Sequence, residues 1–214
     1  MNPKELREQA VKDAKCGLIL NAAHQIFKEK GIWNSRIEDI AAAAGFSKPT
    51  LYNYYPDKES IIISLAIREL QVICEKLASV AKRESTFTNN IEECFRIILT
   101  QVSESFSMFM DMSDYHQITL LSLHVAKNAE LVRRFQQMKD EIQATFVALI
   151  EKGIASGEIG STLPVDLLTQ IAMVMTHAIH TKWKVTGKID DIEVVTQQLG
   201  NFVKYGFSIN SQNK

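Results

Sequence analysis

The chain has 214 residues, 46% of them hydrophobic and 23% charged, a balance that predicts a soluble globular protein able to bury its own core. Its three cysteines (Cys16, Cys74, Cys94) have no CxxC spacing, which argues against a disulfide-stapled module or a cysteine-built zinc site and points to a reducing cytoplasm. No apolar run approaches the roughly 18 residues of a membrane span, the charged start MNPKELREQAVKDAK is unlike a signal peptide, and 24 Lys and Arg against 25 Asp and Glu exclude indiscriminate nucleic-acid binding.

Glycine (9) and proline (4) are scarce and punctuate a helical chain. From Val11 to Lys30 the apolar residues Leu18, Ala22, Ile26 and Ile19, Ala23, Phe27 recur at helical spacing, and Gly31 closes the helix after Lys28 and Lys30. Short signals follow. Ser35-Arg36-Ile37-Glu38 reads as a capping box, Gly45 as a stop, Ser47 as a new N-cap and Pro56 as a further stop, so two very short helices lie back to back. Beyond the candidate N-cap Asp57, the residues Ile63, Ala66, Leu70, Ile73, Leu77 and Val80 predict one long helix reaching about Arg83. Further helices are expected at about 89–112, 115–126, 128–156, 164–186 and 190–209, which makes an all-α chain of about nine helices. The expected domains are a three-helix head at 1–56 and a larger helical body at 57–214.

The short pair reads as helix, tight turn, helix. Ala41 and Ala44 allow a close crossing, Gly45 permits the turn, Phe46 and Leu51 form a hydrophobic staple around Ser47, and Pro49 falls where its missing N–H costs nothing. Leu51 and Tyr55 should face Ile40 and Phe27, leaving Lys48, Thr50, Tyr52, Asn53 and Tyr54 outward, side chains suited to base edges and phosphates in a major groove. An ordinary helical hairpin with a polar face is the competing reading, and the charge of residues 1–60, nine Lys and Arg against eight Asp and Glu, adds little.

The stretch from Arg36 to Lys58, RIEDIAAAAGFSKPTLYNYYPDK, resembles the DNA-binding signature of the tetracycline-repressor (TetR) family, and the likeness extends back to about Leu18. Over the body it is confined to length, helical content and the segment Glu151 to Glu158. The resemblance implies a homodimeric transcription regulator, usually a repressor, released from a pseudo-palindromic operator by a small molecule bound in the larger domain. It places Lys48, Pro49, Thr50 and Asn53 at base edges and Tyr52, Tyr54 and Lys58 at phosphates, beside the N-cap Ser47. Arg36 stands where the family often has threonine, and its charge would take over a phosphate contact. Lys58 has its own rationale, since the first turn of a long helix favours an anion.

The stretch 164–186 is apolar nearly all round, which requires cover on both sides, and the next helix repeats the problem. A four-helix bundle of two chains would bury Val165, Leu168, Ile171, Met175, Ile179, Ile192, Val195, Leu199 and Phe202, with Gly200 and Gly206 admitting a neighbour. An adaptable apolar pocket is expected from Leu70, Ile73, Leu77, Phe106, Met110, Met138 and Met173, with His116, His124 or His177 meeting one polar group of a largely apolar ligand, although methionines are also ordinary core filler. His177 and His180 lack a nameable third ligand, so no metal and no cofactor are expected, and no enzyme motif is present. The alternative function is a helical interaction or carrier protein whose helix-turn-helix is structural or binds DNA for a non-transcriptional purpose.

Overall fold

The computed structural model describes residues 2–104, 129–160 and 163–206. Eight helices and no strand occur among the described residues: α1 (Pro3–Lys30), α2 (Ile37–Ala43), α3 (Lys48–Tyr52), α4 (Lys58–Ala81), α5 (Phe87–Glu104), α6 (Ala129–Ala155), α7 (Val165–Thr186) and α8 (Ile192–Gly206). The expected stretch at 115–126 lies outside them. No helix of the described residues is long and apolar enough to cross a membrane.

Two compact units contain, of the described residues, 2–68 with 129–135, and 69–104 with 136–160 and 163–206. The first is organised around α1. Ile19, Ala23 and Phe27 point into a core with Ile40, Leu51, Ile61 and Leu65, all almost wholly excluded from water. Truncating one such side chain to alanine costs about 2 to 5 kcal/mol, so this cluster fixes where α2 and α3 lie. The Arg68 guanidinium donates to Asn21 Oδ1 (2.7 Å), tying α4 back to α1.

Helix α1 starts eight residues before the expected Val11. Asn2 Oδ1 accepts from the backbone N–H groups of Lys4 (2.8 Å) and Glu5 (2.9 Å), and Glu5 Oε2 accepts from Asn2 N (2.9 Å). Residues 3–14 are exposed throughout, so no burial period marks them, and the cap alone carries the signal. Leu18, expected on the apolar face, is also exposed.

In the second unit α5 is the central element, packed against α8 and α7. Cys94, Phe95 and Leu99 are fully buried along it, and Phe95 meets the Phe146 ring of α6 at 6.0 Å. The segment 151–158 secures the start of α5. Glu158 Oε2 accepts the Phe87 N–H (2.8 Å), and Gly153 lies so close to Phe87 that an added Cβ would stand 2.6 Å from its ring. Arg96 reaches from α5 to both carboxylate oxygens of Glu193 on α8 (2.7 and 2.9 Å) and also pairs with Glu93. The close approach expected at Gly200 is made by Glu92 of the same chain. Helix α7 ends at Gly187, a left-handed residue whose N–H reaches Trp183 O (2.8 Å), while the buried Trp183 donates Nε1–H to Asp190 (2.7 Å).

Candidate DNA-binding surface

The site begins at the end of α1, where Gly31 leaves the helix and Ser35 turns inward. Ser35 donates its hydroxyl to Gly31 O and is buried, so it does not cap α2. The cap is Arg36, whose backbone N–H donates to Asp39 Oδ2 (3.2 Å). This corrects the Ser35–Glu38 box, because the chain enters α2 one residue later and the third helical position is Asp39. Lys30 lies 3.2 Å from Asp39 and, with the Arg36 N–H, holds that carboxyl below its ordinary range.

Between α2 and α3 the backbone takes a positive φ at Gly45 (75°), while Phe46 N–H returns to Ala41 O (2.9 Å). An L-side chain at that φ costs about 1 to 2 kcal/mol, so glycine makes the turn without strain. Ser47 then caps α3: its Oγ accepts from Thr50 N (3.3 Å) and meets Thr50 Oγ1 at 2.7 Å. Pro49 takes the second helical position, where no intrahelical donor is needed. Leu51 and Tyr55 are buried beside Ile40 and Phe27, so the register of α3 is fixed from inside.

The other side of α3 is the candidate surface. Ser47, Lys48, Pro49, Tyr52 and Asn53 are exposed, as is Arg36, and Thr50 is half-buried. Tyr54 departs from expectation: it is half-buried, its ring 6.2 Å from Phe46 and its face covered by the Lys15 ammonium at 5.8 Å. The reason is its place two residues past α3, where the chain bends back toward the core. Lys58 donates to Ser35 O (2.7 Å), and Asp57 Oδ1 caps α4 by accepting Ser60 N–H (2.7 Å). Lys48 forms an ion pair with Glu38 (2.5 Å) and lies 5.9 Å above the Tyr52 ring. Sequence reasoning assigned Glu38 to a cap and passed over Lys15. Glu38 lies ten residues before Lys48, and only the helix crossing joins them.

Residues 19–65 match the family described as "Bacterial regulatory proteins, tetR family". Residues 19–65 are thus a tetR-family DNA-binding segment. The chain is a DNA-binding transcriptional regulator. It is 25% identical over 181 residues to the "Fatty acid metabolism regulator protein" of Bacillus subtilis, spanning 85% of this chain and 89% of that one. It is 23% identical over 171 residues to the "HTH-type transcriptional repressor BepR" of Brucella suis, spanning 77% and 78%. In fold it resembles the crystal structure of the transcriptional regulator FadR from Bacillus subtilis in complex with stearoyl-CoA, with TM-score 0.72, 21% identity, and coverage of 88% and 97%.

Of the expected pocket residues, Ile73 and Leu77 are buried, Leu70, Met138 and Met173 half-buried, and His177 exposed. Cys74 Sγ approaches Met138 O (3.5 Å), which brings α4 and α6 together at that level of the second unit. Phe106, Met110, His116 and His124 lie outside the described residues. A groove of 480 Å³ runs along α6, lined by Asp140, Gln143, Ala144, Val147, Ala148 and Glu151, a set distinct from the expected one.

Of the expected dimer-contact residues, Leu168, Val195 and Leu199 are buried within this chain. Val165, Ile171, Met175, Ile179 and Ile192 are half-buried. Phe202 is exposed, as expected of a contact residue, and Leu167, Val174, Val185, Val194 and Tyr205 are exposed with it on the same two helices.

Proposed function

We propose that the chain binds a pseudo-palindromic operator as a homodimer in the cytoplasm and represses until a small, largely apolar molecule releases it. The observation that carries this reading is the polar face of α3, where Lys48, Thr50, Tyr52 and Asn53 stand over a fully buried Leu51. A hairpin that served packing alone would need only the inner face. Lys48, Pro49, Thr50 and Asn53 meet base edges, while Arg36, Ser47, Tyr52, Tyr54 and Lys58 position the head on phosphates. Dimerisation through α7 and α8 is supported by their exposed large apolar side chains, Leu167 and Val174 on α7 and Val194 and Phe202 on α8.

The effector class is drawn from the relatives: one regulates fatty acid metabolism, and the FadR structure holds stearoyl-CoA. A fatty-acyl thioester combines a long apolar chain with one polar end, as the methionine-rich body suggested. Helix α4 supplies residues 58–68 to the first unit and 69–81 to the second, so a ligand that displaces Ile73 or Leu77 acts on the helix that begins at Lys58. A coupling of about 1 to 3 kcal/mol changes operator affinity by roughly 5- to 150-fold, and linkage requires operator to weaken ligand binding equally.

The test is anisotropy of a duplex enriched from a random pool, with stearoyl-CoA added. The reading expects a Kd that rises by roughly 5-fold or more. An unchanged Kd overturns the fatty-acyl effector, and failure of any duplex to be enriched overturns operator reading by this face.

A further inference from the structure

The pair formed by Glu38 and Lys48 is out of place as a brace for the fold. Both side chains are about half exposed, 53% and 47%, and water screens such a pair until it contributes little to stability. Yet the Lys48 ammonium is positioned twice over, by the carboxylate at 2.5 Å and by the Tyr52 ring at 5.9 Å. A lysine at the start of α3 would hold a phosphate or a base without such help. A carboxylate beside it repels the DNA backbone.

We propose that Glu38 and Lys48 act as one paired reading head, with the carboxylate aiming the ammonium at guanine and itself accepting a hydrogen bond from cytosine. This rests on the DNA-reading role of α3 proposed above. In the major groove guanine presents two acceptors side by side, N7 and O6, and its cytosine presents the N4–H donor. One G·C pair therefore satisfies both members of the head. An A·T pair sets the adenine N6–H donor next to N7, so an ammonium directed at adenine meets a donor as well as an acceptor.

The arrangement also gives Glu38 a second consequence. On DNA without a suitably placed donor, its charge faces phosphates and loses its solvation for nothing, so the wrong sequence is penalised as well as the right one favoured. Glu38 raises the pKa of the Lys48 ammonium and Lys48 lowers that of the Glu38 carboxyl, each through the hydrogen bond between them. Both groups are ionised across the neutral range even at their ordinary values, and the pairing only widens that margin. Asp39, next in sequence, is committed to Lys30 and the Arg36 N–H and does not compete for Lys48.

The test begins with selection of duplexes from a random-sequence pool by the full chain, followed by anisotropy of wild type, Glu38→Gln, Lys48→Gln and the double variant on selected and scrambled duplexes. Wild type should enrich a G·C pair at one position of each half-site. Glu38→Gln should bind scrambled duplex more tightly and lose about 5-fold or more of the G·C over A·T preference there. In base preference the double variant should match Lys48→Gln, because the two side chains read as a unit, while its affinity for all duplexes rises with loss of the Glu38 charge. If Glu38→Gln tightens binding everywhere and keeps the base preference, Glu38 only repels DNA and the paired head is wrong. Base preference lost in Lys48→Gln but intact in Glu38→Gln overturns it equally. A wild type that enriches no sequence overturns the underlying role of α3, and that result is visible before any variant is compared. Unchanged unfolding midpoints confirm that the exposed substitutions leave the fold intact.

Discussion

Replacing Lys58 by alanine separates two things that one ammonium does. Its Nζ donates to Ser35 O at 2.7 Å, bracing the loop between α1 and α2, and in the proposed complex it also neutralises a phosphate. Losing one phosphate contact per subunit, two per dimer, lowers the salt slope by about 1.8 in log Kd against log salt. Between about 50 and about 200 mM salt, a fourfold change, wild type should therefore weaken roughly 12-fold more than Lys58→Ala does. The loss should be the same on selected and scrambled duplexes, since a phosphate carries no sequence. The brace itself is worth about 1 kcal/mol, because the site is half-buried and water can reach part of the carbonyl. In a chain of 214 residues that lowers the unfolding midpoint by about 2 to 4 °C. Anisotropy across a salt series and thermal unfolding read the two effects independently. A lowered midpoint with an unchanged salt slope would show that Lys58 is a structural brace only, and the phosphate assignment would fall.

Gly153→Ala sets helix propensity, which favours alanine by about 1 kcal/mol, against overpacking that costs about 1 to 3 kcal/mol. The new Cβ would lie 2.6 Å from the Phe87 ring and 3.2 Å from Phe87 Cβ, and that ring is buried, so overpacking should win; a raised midpoint in urea or thermal unfolding would refute this. Val174→Glu should leave the monomer's stability nearly unchanged, because the side chain is 60% exposed, yet shift sedimentation toward monomer; an intact dimer would place the contact elsewhere. Burial, with lesser repulsion from His177 and Lys184, lowers the His180 pKa. The unfolded chain then binds the proton more readily, so the stability tied to neutral His180 is full above about pH 6.5 and is lost as pH falls through the folded value. His180→Phe should flatten that limb of the stability–pH curve, and an unaltered limb would assign it to other groups.

What the sequence revealed depended on how far apart the interacting residues lie. The turn at Gly45, the cap at Ser47, the inward Leu51 and the cap at Asp57 all arise from neighbours within about one helical turn, and each has its own residue signature. The Glu38–Lys48 pair and the Lys15–Tyr54 contact span 10 and 39 positions, and no local pattern announces them. For α7 and α8 the apolar periods predicted burial correctly at Leu168, Val195 and Leu199 but not what would cover them. A period shows that a face is buried but not by what, and within this chain α5 packs against both helices. The same limit applies to Gly200, where small size signalled a close approach and only the packing of Glu92 identified the neighbour.

Helix α1 carries residues 3–14 clear of any burial, a run of about 18 Å at 1.5 Å per residue. A helix of that length is marginal alone in water, and here it is spared its nucleation cost by growing out of the buried half of the same helix. Substitution along it opens no cavity and strands no polar group, provided the cap at Asn2 is kept. New charges or aromatic groups can therefore be placed on the arm without loosening the core that holds α3.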